Sequence, residues 1–151
     1  MKSIAIFLIS LVIFYVSAYP NGSPVCSITE KEMKAKMGGK NSELGYKLKG
    51  PSKVKRGETI VLELEGKSKL QGILAWTNAG QLPLPNNKVK YPACDAGKRQ
   101  SFTQKDYLKL KGPFKFYWTV PRQRGVATIN VLAVDTFTKW QIVKPLVIKI
   151  E

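Results

Sequence analysis

The chain has 151 residues, 44% of them hydrophobic and 23% charged, and this balance predicts one folded domain with a hydrophobic core. It contains no histidine, which excludes Ser-His-Asp and Cys-His catalysis and any histidine-ligated zinc or copper site. Lys and Arg number 25 against 10 Asp and Glu, so the formal net charge of +15 predicts attraction to polyanions or anionic membranes in a field that salt screens.

Residues 1–18 are expected to be a signal peptide rather than part of the folded domain. Lys2 gives a positive start, residues 4–16 are almost wholly apolar, and residues 16–18 place small side chains where signal peptidase cleaves. A membrane anchor is the alternative, but this apolar run is shorter than the roughly 20 residues that cross a bilayer. We therefore expect residues 19–151 to be one secreted, extracellular domain without a transmembrane segment.

Both cysteines, Cys26 and Cys94, fall within the expected domain. In an oxidising compartment the simplest arrangement is one disulfide, while a free reactive thiol is the alternative. A bond between them would tie the N-terminal segment to the middle of the domain. In the entropic model it would stabilise the folded chain by about 4 kcal/mol.

The first part of the expected domain predicts a turn-rich segment followed by one helix. Asn21 begins an Asn-Gly-Ser sequon and is a candidate N-glycosylation site. Residues 27–30, beginning at Ser27, match the capping-box pattern, and Met33 and Met37 lie one helical turn apart before two glycines. This pattern predicts a short helix over residues 28–37.

Alternating apolar and polar residues predict strands from residue 44 onward. In residues 59–65 the residues Ile60, Leu62 and Leu64 take one face, so Glu63 and Glu65 take the other. Residues 77–104 contain so many turn formers that only short strands are predicted there. The predicted strands are 44–49, 59–65, 70–76, 89–91, 107–111, 114–120, 126–134 and 145–150. Their spacing predicts an all-β antiparallel sandwich with one short N-terminal helix.

A predicted hairpin of residues 107–111 and 114–120 carries the first candidate binding residues. If its apolar residues point into the core, its polar residues point out of the sheet. The outward set is then Lys109, Lys111, Lys115 and Tyr117. These lysines would repel one another unless an anion lay between them, although a solvated face with splayed side chains is an open alternative. Two further clusters are Lys47, Lys49, Lys53, Lys55 and Arg56, and Arg122 with Arg124.

Support for catalysis or metal binding is thin in the sequence. Glu63 and Glu65 would lie about 7 Å apart on one strand face, which loosely matches paired glycosidase carboxylates. Solubilising charge is the simpler interpretation of an exposed strand. The two cysteines lack CxxC spacing, so neither a metal site nor a cofactor is predicted.

Several segments together resemble a reelin N-terminal, or Reeler, domain. The most specific are YPNGSPVC at residues 19–26 and the aromatic strand ending in Trp-x-x-Pro at residues 116–121. The order and spacing of all the segments carry the resemblance over nearly the whole expected domain. The other segments are the strand at residues 59–66, LQGILAW at 70–76, Cys94 and GVATINVLAV at 125–134.

This resemblance implies an extracellular, immunoglobulin-like antiparallel β-sandwich of seven to nine strands, with Cys26 and Cys94 as the family disulfide. Members occur as single secreted domains in invertebrate immune defence, where binding to microbial glycans and lipopolysaccharide is ascribed to them. Others are N-terminal modules of matrix and neuronal proteins. This chain lacks the Met-x-Pro-x-His that follows the first cysteine in many members and the second cysteine pair that some members carry late in the domain, and both departures weaken the transfer of any specific ligand site.

We therefore expect a secreted, non-enzymatic binding domain. Its lysines would engage anionic polysaccharide or lipopolysaccharide through many individually weak contacts. An extracellular adhesion or matrix module is the alternative, and it would bind a protein partner through an apolar or aromatic patch. Nucleic acid is not an expected partner of a secreted chain.

Overall fold

The computed structural model describes residues 19–136 and 138–151 as two β-sheets and one helix. The predicted signal peptide, residues 1–18, lies outside the described residues. The elements in chain order are α1 Glu30–Met37, β1 Lys40–Asn41, β2 Lys47–Lys49, β3 Lys53–Val54, β4 Thr59–Glu65, β5 Gly72–Thr77, β6 Val89–Lys90, a 3₁₀ turn Ala93–Asp95, β7 Ser101–Gln104, β8 Phe114–Thr119, β9 Gly125–Thr136, β10 Lys139–Ile142 and β11 Leu146–Ile150.

The sheets have three and eight strands and form the predicted sandwich. The small sheet has the order β2-β4-β8, and the large sheet has the order β1-β10-β9-β5-β7-β6. Long β9 pairs along one edge with both β10 and β11, and β3 joins β11. Most pairs are antiparallel, but the two-residue strands β1 and β3 pair in parallel with β10 and β11. These two short strands add to the strands predicted from the sequence, and the fold class is unchanged.

The main core lies between the two sheets and is built from alternate residues of their strands. Phe116 and Trp118 of β8 are fully buried, as are Leu62 of β4 and Ile129 of β9. The Phe116 ring meets Phe102 of β7 edge to face, with ring centroids 5.5 Å apart. The alternation therefore confirms the inward orientation that was predicted for the apolar residues of β4 and β8.

A second apolar cluster covers part of the outer face of the large sheet. Met33 and Met37 of α1 pack with Leu74, Leu132 and Trp140 on this face. The Trp140 indole N–H donates to the Gly38 carbonyl, 2.9 Å away, which fixes the end of the helix on the sheet. The large sheet is therefore buried on both sides over this area.

The predicted disulfide is present between Cys26 and Cys94, whose Cα atoms lie 6.0 Å apart. It joins the segment before α1 to the 3₁₀ turn between β6 and β7. Nearby, the Ser23 amide donates to the Thr103 hydroxyl at 2.8 Å. The N-terminal segment is therefore held against β7 by one covalent bond and by hydrogen bonds.

The helix begins two residues later than the sequence predicts. The N-cap is Thr29, whose side chain accepts from the Glu32 amide, while the Glu32 carboxylate accepts from the Thr29 amide at 2.8 Å. The predicted box that began at Ser27 is therefore wrong. Ile28 lies before the N-cap and is buried against the large sheet, and the helix begins after it.

The predicted hairpin of residues 107–111 and 114–120 does not form. β8 pairs with β4 along its whole length, and Leu110 instead makes an isolated antiparallel bridge with Leu70. Lys109 has a φ of 54°, a left-handed conformation that interrupts a regular strand. Residues 107–111 therefore link the two sheets at one end of the sandwich rather than extending the small sheet.

Candidate functional site

The outer face of the small sheet brings together four of the six predicted binding residues. Lys47 and Lys49 of β2 lie on this face with Lys115 and Tyr117 of β8, and β4 separates the two strands. Directly opposed side chains in such a sheet lie about 5 Å apart. We call the set Lys47, Lys49, Val61, Glu63, Glu65, Lys115 and Tyr117 the outer face.

The lysines of the outer face are interleaved with acids from the central strand. Glu63 lies between Lys49 and Lys115 in one cross-strand row, and Lys47 lies opposite Glu65 in the next. The Lys49 ammonium contacts a Glu65 carboxylate oxygen at 2.7 Å. This hydrogen bond raises the pKa of Lys49 and lowers the pKa of Glu65. The outer face is therefore nearly balanced in charge.

This balance bears on the catalytic alternative. A glycosidase general acid needs a raised pKa, so that it holds its proton near neutral pH. The pKa of Glu65 is instead lowered by its hydrogen bond with Lys49. Glu65 therefore does not have the raised pKa of a glycosidase general acid.

An apolar strip lies beside these charges on the outer face. Val61 and Tyr117 are direct cross-strand neighbours, and they are 53% and 40% exposed. In the next row the hydroxyl oxygens of Thr59 and Thr119 lie 3.4 Å apart. An exposed ring flanked by hydroxyl, carboxylate and ammonium groups can stack against one face of a sugar and bond to its hydroxyls.

Lys109 and Lys111 join a different group of lysines at one end of the sandwich. Leu70 and Leu110 exchange two backbone hydrogen bonds of 2.8 and 3.1 Å. Their antiparallel register places the backbone of Lys69 next to that of Lys111. Lys67 is exposed two residues before Lys69, in the same β4–β5 turn. We call Lys67, Lys69, Lys109 and Lys111 the basic end.

The basic end adjoins the outer face, and Asp135 lies near Tyr46, which contacts the same β4–β5 turn. Lys67 follows β4 by two residues, and Lys111 precedes β8 by three, at the edge of the small sheet where Lys47 lies. Ion pairs in the described part of the chain use Lys34, Lys49, Lys53 and Lys149. All four lysines of the basic end are therefore exposed and unpaired within that part.

Tyr46 holds the turn that carries Lys67. Its hydroxyl donates to the Ser68 carbonyl at 3.3 Å, and the Ser68 hydroxyl donates to the Leu44 carbonyl at the same distance. Burial, together with nearby Asp135, raises the pKa of Tyr46 to about 12. A side chain on Gly66 would collide with the Tyr46 ring. The turn is therefore anchored, and its lysines project from a fixed backbone.

The remaining predicted basic residues lie at the opposite end. Lys55 and Arg56 follow β3, and Arg122 and Arg124 follow β8. The Val120 amide donates to the Glu58 carbonyl at 2.8 Å and brings these two turns together. This end also contains acids, since Glu151 contacts both Lys53 and Lys149. The cluster predicted from Lys47 to Arg56 is thus divided between the outer face and this opposite end, roughly 20 Å apart along β4.

The sequence interpretation missed Lys67 and Lys69. They lie in the turn after β4. The signal that could have found them is their spacing of two residues just before a buried strand, which is typical of side chains on one face. Asn21, the candidate glycosylation residue, is exposed.

The described residues also bear on metal and membrane binding. Residues 19–136 and 138–151 hold no cluster of three or more His, Cys, Asp or Glu side chains placed to bind a metal ion. In the same ranges, no helical segment has the length and apolar character of a membrane span.

Comparison with known proteins rests on structure. No protein-family model matches the chain, and no curated protein matches its sequence. The Reeler domain of human F-spondin superposes with a TM-score of 0.62 at 12% identity, covering 75% of this chain and 95% of that one. A structure of the Reelin-N domain of F-spondin gives 0.61 at 12% identity, covering 79% of this chain and 95% of that one. The chain therefore has a Reeler-like fold, as its sequence resemblance predicts.

Proposed function

We propose that this chain is a secreted, non-enzymatic binding domain that recognises anionic polysaccharides, including those of microbial surfaces, through the basic end. The observation that carries the proposal is the Leu70–Leu110 bridge, which places Lys69 next to Lys111, with Lys67 and Lys109 two residues away along the same two segments and none of the four in an ion pair within residues 19–136 and 138–151. Like charges brought together this way repel, and a sulphate or phosphate group between them relieves that repulsion. Secretion follows from the signal peptide predicted in residues 1–18, and the disulfide supports it.

The outer face supplies a second part of the proposed site. A polysaccharide is longer than the basic end, and Lys47 and Lys115 continue from it onto the small sheet. There the exposed ring of Tyr117 offers a stacking surface for one sugar. Affinity comes from several weak contacts in this arrangement, so it falls as the salt concentration rises.

The test compares two variants that lose the same charge. One changes Lys67, Lys69, Lys109 and Lys111 to Gln, and the control changes Lys55, Arg56, Arg122 and Arg124 to Gln. Binding to a heparin oligosaccharide and to deacylated lipopolysaccharide is measured at two salt concentrations. The basic-end variant is expected to lose most of its affinity and much of its salt dependence, while the control keeps both. Equal losses in the two variants would mean that net charge alone drives binding, and no loss in either would refute the site.

A protein-binding adhesion module is the second candidate function. Val126 and Val147 are 59% and 57% exposed, and they are diagonal neighbours on the part of the large sheet that α1 leaves open. Exposed apolar neighbours of this kind favour a protein contact. Val126→Asp with Val147→Asp would abolish binding to such a partner and leave heparin binding unchanged. If the double variant lost heparin binding instead, the protein-binding and heparin-binding surfaces would not be separate.

A further inference from the structure

An apolar cleft lies between α1, the N-terminal segment and the outer face of the large sheet. Its volume is about 60 Å³. The polar residues that line it include Ser23, Thr103, Gln104 and the exposed Lys36. The apolar walls include Val25, Ile28, Met33, Met37, Leu74 and Leu132.

The walls of this cleft are held in place. Gln104 donates from its side-chain nitrogen to the Tyr19 carbonyl at 3.1 Å and accepts from the Ile73 amide at 2.9 Å. A side chain on Gly22 would collide with the Gln104 carbonyl, so the N-terminal segment lies close against β7. The disulfide of Cys26 fixes the same segment at its other end. Hydrogen bonds and the disulfide therefore fix the walls of the cleft.

Water is a poor occupant of this space. A cavity volume of about 10–15 Å³, measured in the same way, holds one water molecule. That water needs two to four polar partners. The cleft is several times larger, yet aliphatic and thioether groups dominate its walls. An alkyl group loses no hydrogen bonds there and gains contacts with the walls. Met33 and Met37 have flexible side chains that can move to admit it.

The rim of the cleft favours a negative charge. Lys36 makes no ion pair in the described ranges, and Glu32, one turn earlier on the helix, has its pKa lowered by hydrogen bonds from Thr29 and by the charge of Lys36. We propose that the cleft binds the unbranched acyl chain of a fatty acid, with the carboxylate at Lys36. The cleft has room for about four to six waters, so it takes part of an alkyl chain rather than a fused ring system. None of the four lysines of the basic end lines the cleft, so either proposal can fail without the other.

The first test uses laurate below its micelle concentration. Laurate is expected to shift the methyl NMR signals of Met33 and Met37. Val25→Trp fills the cleft and should abolish these shifts, while the control Val147→Trp, on the open part of the same sheet, should keep them. The proposal is overturned if laurate leaves both methionine signals unchanged, or if Val25→Trp binds it as tightly as the unmodified protein.

The second test separates the acyl chain from its charge. Lys36→Gln should weaken laurate binding several-fold and leave binding of the uncharged dodecanol unchanged. Lys31→Gln, on the same helix but outside the cleft, should change neither affinity. Unchanged laurate binding in Lys36→Gln would refute the carboxylate position, and equal weakening of both ligands would show that Lys36 acts only on the shape of the cleft.

Discussion

The outer faces of the two sheets differ in what lies against them. On the large sheet, α1 and the N-terminal segment cover Leu74, Leu132 and Trp140, and a disulfide holds the cover in place. On the small sheet, Tyr117 and its charged neighbours face solvent. The outer face of the large sheet therefore stabilises the fold where α1 covers it, whereas the outer face of the small sheet is open to solvent. Substitutions on the two faces should differ accordingly.

Paired aromatic substitutions should show the largest difference. Trp140 is fully buried and donates a hydrogen bond to Gly38, so Trp140→Ala should lower the free energy of unfolding by about 3–5 kcal/mol. Tyr117→Ala removes a side chain that is 40% exposed, and its cost should stay within about 0.5 kcal/mol. Urea unfolding of both variants measures the contrast. Equal costs would mean that the faces are not distinct.

Removing the disulfide should have the next largest effect. Replacing Cys26 and Cys94 by Ser frees the segment that holds α1 on the large sheet, and the expected loss is about 2–5 kcal/mol. Amide hydrogen exchange should rise in α1 and the N-terminal segment and remain slow in β4 and β8. Uniformly faster exchange would show instead that the bond stabilises the whole sandwich.

The Tyr46 anchor should have a smaller effect, with a defined pH dependence. Tyr46→Phe removes the hydrogen bond to Ser68 and should cost about 1 kcal/mol. The folded pKa is raised to about 12, above the unfolded value near 10. The neutral hydroxyl therefore contributes stability that is complete below about pH 10 and is lost as the pH rises toward about 12. Ultraviolet titration of tyrosine ionisation measures the shift, and a normal pKa for Tyr46 would contradict it.

The helix cap should have a similar or smaller effect. Thr29→Ala should destabilise the protein by about 1 kcal/mol. Hydrogen bonds from Thr29 lower the pKa of Glu32, so the carboxylate stabilises the cap above the usual carboxyl pKa and loses this effect as the pH falls. The difference between Thr29→Ala and the unmodified protein should therefore shrink in acid. A difference that is independent of pH would exclude the Glu32 carboxylate from the cap.

The alternation of apolar and polar residues predicted a strand correctly where the strand has one buried face and one exposed face. Residues 59–65 alternate strictly, and β4 has these bounds. β7 was not predicted, because Thr103 and Gln104 are polar yet buried, and they are satisfied by hydrogen bonds to Ile73 and Tyr19. No local alternation marks such a strand.

The candidate site was predicted only in part. Side-chain alternation placed Lys115 and Tyr117 outward, but the hairpin with Lys109 was wrong. The bridge between Leu70 and Leu110 joins residues 40 positions apart, and it brings Lys69 to Lys111. Pairing across such a distance depends on the packing of the whole sandwich, which single-sequence patterns do not contain.

The most direct test of the polysaccharide site is an amide NMR titration with a heparin oligosaccharide at physiological salt. We expect the largest shifts in residues 67–70 and 109–111, smaller shifts continuing into β8, and weak shifts in residues 53–58 and 121–125. Shifts confined to the opposite end, or spread evenly over all lysine-bearing segments, would contradict it.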